Sequence, residues 1–182
     1  SDVDGGVVRT SRLILLYFAA GWCTPSRHFT GVLAEGYQEI RERYGEVALE
    51  VVLVPRDRTR PAWQEHLRGM PWVSIPWGHI LIKTLKEKLK VTSLPRLVAI
   101  DSQGAVVCDN CRGGHGFGFL CSPLDAYQWL IAQGGLKMPR DRQSSKTSAE
   151  RSSASRSSRG SQSPPSGASD EEGYGDDSDE DD

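Results

Sequence analysis

Cys23 stands in the run Trp22-Cys23-Thr24-Pro25-Ser26-Arg27, directly after an apolar stretch and directly before a segment of helical spacing. The reactive form of cysteine is its thiolate, and a free thiol ionises near ~8.5. A helix N-terminus presents unpaired N–H groups and the positive end of the macrodipole, both of which favour the anion. Arg27, four residues on, adds positive charge, and Trp22 shields one side. These neighbours predict a partly exposed nucleophile at Cys23 with its thiolate favoured. The plainer alternative is a buried cysteine that packs as a small hydrophobe. Ser26 offers a hydroxyl that can donate to the thiolate. His28 offers a Cys–His pair, against which stands a simple solvent-facing histidine on the helix.

A second cluster lies near the other end of the chain. Cys108, Cys111, His115 and Cys121 have the spacing C-x2-C-x3-H-x5-C. Zinc takes four ligands in a tetrahedron, and the glycines between 113 and 118 let a loop bend around one. A zinc site and a local Cys108–Cys111 redox pair stay open beside unrelated thiols on a hairpin and loop. The chain is expected to hold no metal and no cofactor.

The elements that position these residues follow from periodicity. Leu13–Ala19 is a continuous apolar run of strand length, suited to a strand buried on both faces. Pro25 fits a first helical turn, and Phe29, Val32, Leu33, Tyr37 and Ile40 recur at helical spacing to about Tyr44, where Gly45 ends the helix. Leu49–Pro55 is a second buried strand, and Arg56–Arg60 a charged loop. Pro61–Leu67 is a short helix. Met70–Trp77 is a rigid Trp-rich connection bracketed by Pro71 and Pro76; its Trp72 and Trp77 read either as core or sheet-edge packing, like the chain's other tryptophans, or as an exposed partner patch. Ile80–Leu89 is an amphipathic helix whose lysines, Lys83, Lys86, Lys88 and Lys90, read as a solvated face. Arg96–Asp101 and Ala105–Asp109 form a hairpin, and Pro123–Gln133 is the last helix. The order β-α-β-α-α-β-β-α predicts an α/β sandwich with a mixed central sheet.

The totals bound what such a domain does. The 182 residues are 37% apolar, but residues 137–182 hold almost none of that, so this segment is expected to be a disordered tail. Residues 1–136 remain as one domain. The net charge of −2 hides 15 basic and 13 acidic residues in 1–136, seven and two in 137–169, and nine acids with no base in 170–182. The folded part therefore carries no basic face that argues for nucleic acid. The tail is expected to solubilise, with Ser169 and Ser178 open to an acid-directed kinase. No apolar run approaches the ~20 residues of a membrane span. The chain opens on Ser1 with no signal-peptide pattern, which is expected of a fragment, a processed form or an incomplete gene sequence. Four cysteines in that context favour a reducing compartment.

WCTPSR resembles the WCxxC motif of thioredoxin-fold proteins. More specifically, YFAAGWCTPSRHFTGVLAEGYQEI, Met70-Pro-Trp72 with Ile75-Pro-Trp77, Val91-Thr-Ser-Leu-Pro-Arg-Leu-Val98 and the turn Asp101–Gly104 resemble the nucleoredoxin and tryparedoxin group over about residues 12–133. The resemblance implies a thioredoxin-like three-layer sandwich. It implies Cys23 as nucleophile with Ser26 in the resolving position, and a cis bond at Pro95. It also implies a client surface of Trp22, Thr24, Pro25, Arg27, Leu94, Pro95, Trp72 and Trp77. Partners would be a protein or a thiol/disulfide client, with glutathione among the candidates. The implied location is cytoplasmic, with nuclear presence or non-classical export as alternatives. Two departures stand out. Serine cannot perform the second thiol attack of a dithiol reductase, and Tyr17 occupies the position where thioredoxins keep a buried acid.

Overall fold

A computed structural model of the protein describes residues 11–113 and 118–136. The predicted tail, His115 and the first ten residues lie outside them. The element order is β1 (Leu13–Ala19), α1 (Thr24–Tyr44), β2 (Leu49–Pro55), α2 (Arg60–Leu67), β3 (Val73–Ser74), α3 (Ile80–Lys88), β4 (Arg96–Asp101), β5 (Val106–Cys108) and α4 (Pro123–Gln133). The strands form one sheet in the order β3-β2-β1-β4-β5. β1 runs parallel to β2 and antiparallel to β4, so the sheet is mixed and β1 lies at its centre.

The continuous apolar run of β1 is explained by its two covered faces. Side chains alternate along a strand. Leu13, Leu15, Tyr17 and Ala19 join a core with Phe29, Leu33, Tyr37 and Ile40 of α1 and Tyr127, Leu130 and Ile131 of α4. Ile14, Leu16 and Phe18 join a second core with Val54, Val91 and Val98, against which Ile82 and Leu85 of α3 pack. A polar residue anywhere in β1 would therefore need a partner inside one of the two cores. α1 ends where predicted: Gly45 takes φ 95°, a left-handed backbone that disfavours side chains, and its N–H donates to the Arg41 carbonyl at 2.8 Å.

Two expectations are corrected. The Trp-rich connection contains a strand, the two residues of β3, whose Val73 and Ser74 pair with Val52 and Leu53. Two residues between flanking prolines carry no periodicity, so no pattern announced it. The hairpin strand expected over Ala105–Asp109 is only Val106–Cys108, because the register with β4 shifts between Ala99 and Ile100.

The approach of α1 to α4 rests on Gly36, which is buried. A Cβ built there would run into the Cβ and Cγ of Pro123 at the start of α4. Replacing a helical glycine by alanine gains about 1 kcal/mol in propensity, whereas overpacking costs about 1–3 kcal/mol. Gly36→Ala is expected to lower the urea midpoint of unfolding; a raised midpoint would mean that the two helices are free to separate.

Candidate functional site

Cys23 is the N-cap residue of α1, with Pro25 in the first turn. Its N–H donates to the Ala20 carbonyl at 3.0 Å, and its carbonyl accepts from Arg27 N at 3.1 Å. The side chain makes no capping bond, and the residue is half-buried at the start of the first turn, where unpaired amides lie. The sulfur lies 3.9 Å from the Leu94 carbonyl oxygen, and the Leu94–Pro95 peptide is cis. A groove of about 350 Å³ opens at the sulfur, lined by Trp22, Arg56, Lys86 and the Val91–Leu94 segment.

The turn that presents Cys23 is tied from several sides. The Arg27 guanidinium donates to the Gly21 carbonyl at 2.8 Å and to the Thr24 hydroxyl at 3.2 Å. Trp22 is 53% exposed, yet its ring N–H donates to the Arg56 carbonyl and the Arg58 guanidinium lies 5.3 Å from its ring centroid. Thr24 and Pro25 are exposed beside it. Cys23, Trp22 and Leu94 thus share one groove, with cis-Pro95 directly after Leu94.

Ser26 departs from the expectation. It is fully buried, and its Oγ has no hydrogen-bond partner among the described residues, so it does not donate to the Cys23 sulfur. Its carbonyl is the busy group. Thr30 Oγ1 lies 2.9 Å from it as a donor, and the Tyr17 hydroxyl lies 2.9 Å from it and 3.0 Å from Thr30 Oγ1. Tyr17 is fully buried, and burial pushes its phenol up to about 12, with the Thr30 hydrogen bond opposing. The neutral phenol therefore acts as a hydrogen-bonding strut between the end of β1 and the first turn of α1.

The two tryptophans of the expected patch are separated. Trp72 is only 6% exposed and stands edge-on to Tyr17 and Tyr37, so it packs the core and presents no surface. Trp77 is 41% exposed and donates to the Asp57 carbonyl. His28 is exposed on α1, with no hydrogen bond to Cys23 among the described residues. The lysine stripe is more than a solvated face, because Lys86 lines the Cys23 groove. Cys108, Cys111 and Cys121 do not gather into a metal-binding group among the described residues.

Asp57 and His66 escaped the sequence reading. Asp57 Oδ1 accepts the Gly21 N–H at 2.8 Å, and its Oδ2 lies 3.1 Å from His66 Nδ1, with both side chains buried. The carboxylate thereby anchors the turn that carries Trp22 and Cys23. Asp57 sits among Arg56, Arg58 and Arg60, a context that looks like a solvated charged loop; only the fold turns it inward.

The Thioredoxin-like family model matches residues 11–106. A probable nucleoredoxin 1 of Arabidopsis thaliana is 36% identical over 113 residues, covering 60% of this chain and 19% of its own length. The chain spans 19% to 29% of the length of the curated relatives it matches. A thioredoxin from Wuchereria bancrofti superposes with a TM-score of 0.57 at 30% identity, covering 70% of this chain and 86% of its own. A tryparedoxin II in complex with glutathionylspermidine superposes at 0.50 with 27% identity, over 55% of this chain and 69% of its own.

The Tyr17 strut gives a test with a defined pH dependence. Losing its hydrogen bond should cost about 1 kcal/mol at neutral pH, read as a lower urea midpoint for Tyr17→Phe. In the folded chain the phenol is held at about 12, against 10.0 when unperturbed. A raised group stabilises fully below its unfolded value and loses that contribution as pH climbs through the folded one. The deficit of Tyr17→Phe should therefore shrink between pH 10 and 12. A deficit that stays constant across that window would contradict the strut.

Proposed function

The chain belongs to the thioredoxin-like family, and from that premise we propose that it is a nucleoredoxin-type redox protein whose site captures thiol partners through Cys23 alone. The observation that carries this reading is Ser26: a buried hydroxyl occupies the position from which a second thiol would attack. The Cys23 thiolate attacks one sulfur of a client or low-molecular-weight disulfide, a new S–S bond forms, and the other sulfur leaves as a thiolate. In a dithiol site the second cysteine would then expel the client. Here the mixed disulfide waits for an outside thiol.

The groove supports the choice of partner. Arg56 and Lys86, which line the same groove as Cys23, suit the carboxylates of a glutathione-like tripeptide, and a similar tryparedoxin II is complexed with glutathionylspermidine. The Leu94 carbonyl next to the sulfur offers an acceptor for a client's backbone N–H. The proposed site set is Cys23 and Ser26, with Trp22, Thr24, Pro25, Arg27, Leu94 and Pro95 for binding and exposed Trp77 at a greater remove. The proposal takes residues 1–136 as the domain and 137–182 as its tail. Among the described residues no helix is long and apolar enough to cross a membrane.

Within the group, the Cys-x-Pro-Ser-Arg run after Tyr-Phe-Ala-Ala resembles nucleoredoxin-like protein 2 most. That resemblance suggests maintenance of photoreceptor or other sensory cells through redox-linked protein interaction, in the cytoplasm, with the nucleus or non-classical export as further locations.

A single turnover of insulin by the pre-reduced, desalted protein, with no other thiol present, separates capture from release. The native chain should retain an insulin chain as a mixed disulfide on Cys23, Ser26→Cys should release it and become oxidised itself, and Cys23→Ser should do neither. Release by the native chain equal to that of Ser26→Cys would overturn the single-thiol reading.

A further inference from the structure

We propose that Cys108 and Cys111 form a second redox centre, a dithiol that closes to an intramolecular disulfide and is separate from Cys23. The register brings them together. Cys108 of β5 lies opposite Ala99 of β4, and the Cys111 N–H donates to the Leu97 carbonyl at 2.9 Å. Leu97 and Ala99 are two apart on one strand and face one core, and both cysteines pack against that core. Positions two apart on a strand are separated by about 6.7 Å, within the Cα separations of up to about 6.8 Å that a disulfide bridges.

The two thiols are unlike, and their difference assigns roles. Cys111 is 4% exposed and pinned: its carbonyl accepts the Phe119 N–H, and its sulfur lies 3.4 Å from the Leu97 carbonyl. Burial pushes its thiol well above the ordinary range. Cys108 is half-buried at the short edge strand. The hydrogen bond from Cys111 draws its thiol down to about 6, with burial opposing and Arg96 nearby assisting. Arg96 is itself held over this turn by the Asp109 carbonyl and carboxylate, at 2.8 and 3.0 Å. The proton thus resides on the buried sulfur and the nucleophile is the accessible one.

The chemistry balances with a low-molecular-weight disulfide as oxidant. The Cys108 thiolate attacks one of its sulfurs, forming a mixed disulfide and releasing one thiolate. Cys108 is then uncharged, which removes its own part in holding the Cys111 proton and leaves burial, the larger part, to be overcome. Cys111 yields that proton to water, attacks the Cys108 sulfur and expels the second thiolate. One small disulfide becomes two thiols as two cysteines become one cystine.

The test uses the full chain with Cys23→Ser and Cys121→Ser, so its outcome is independent of the Cys23 reading. After incubation with oxidised glutathione, intact mass is expected to fall by two hydrogens with no glutathione retained, and dithiothreitol should reverse the loss. Adding Cys111→Val should leave one glutathione on Cys108 instead. Glutathione retained on Cys108 while Cys111 is present, or no reaction at all, would overturn the proposal. A second readout guards against a misfolded variant. The alkylation rate of Cys108 should rise with a midpoint near 6 and move up toward the free-thiol value, about 8.5, in Cys111→Val. An unmoved midpoint would count against the pair.

Discussion

The Tyr17 hydroxyl joins the two elements on which the site depends. It is buried at the end of the central strand and reaches the Ser26 carbonyl, inside the first turn of the helix that starts at Cys23. Strand end and helix start are thereby held in one geometry, and the sulfur's position follows. The same ring continues an aromatic series, Phe29–Tyr17–Trp72–Tyr37, each pair packed edge-on at 5.7 to 6.1 Å. Such pairs contribute about 0.5–1.5 kcal/mol each beyond their buried area. The series ends on Glu50, a buried carboxylate that accepts from Tyr37, Arg41 and the Val51 N–H. A buried charge is tolerable only when so fully paired. Where the resemblance led to an acid beneath the sulfur, this chain keeps a neutral phenol there and a paired acid farther along the core.

This arrangement gives the site an asymmetric chemistry. On the proposed reading, bond formation needs one nucleophile and an open groove, which Cys23 and its surroundings would supply, while release needs a second nucleophile that the buried Ser26 hydroxyl would not provide. Asp57 contributes by position: it fixes the Gly21 N–H and so the turn before Cys23. The Cys108–Cys111 pair reproduces, on the hairpin at the far edge of the sheet, the split between an accessible and a buried thiol that the helix terminus lacks.

Much of this was legible in the sequence because it rests on local pattern. β1 and β2 announce themselves as unbroken apolar runs, and α1 by its spacing and by Pro25 and Gly45. The Leu94–Pro95 geometry followed from resemblance rather than from periodicity. What escaped depends on contacts remote in sequence. Trp72 looked like surface because it sits between prolines, yet Tyr17 and Tyr37 enclose it. Ser26 was expected to serve the sulfur, but the helical turn directs its hydroxyl into the core. Asp57 and His66 are nine residues apart in a charged stretch, and only the packing of α2 beside the Gly21 turn makes them a pair.

The central claim is that Cys23 forms a bond it cannot break unaided, and the lifetime of its adduct measures this most directly. The native full chain would be exposed to oxidised glutathione and desalted, and the peptide carrying Cys23 followed by mass spectrometry with and without added thiol. The Cys23 adduct is expected to form and to persist until reduced glutathione or dithiothreitol is supplied. Spontaneous loss of the adduct without added thiol, or failure of Cys23 to form one, would contradict it.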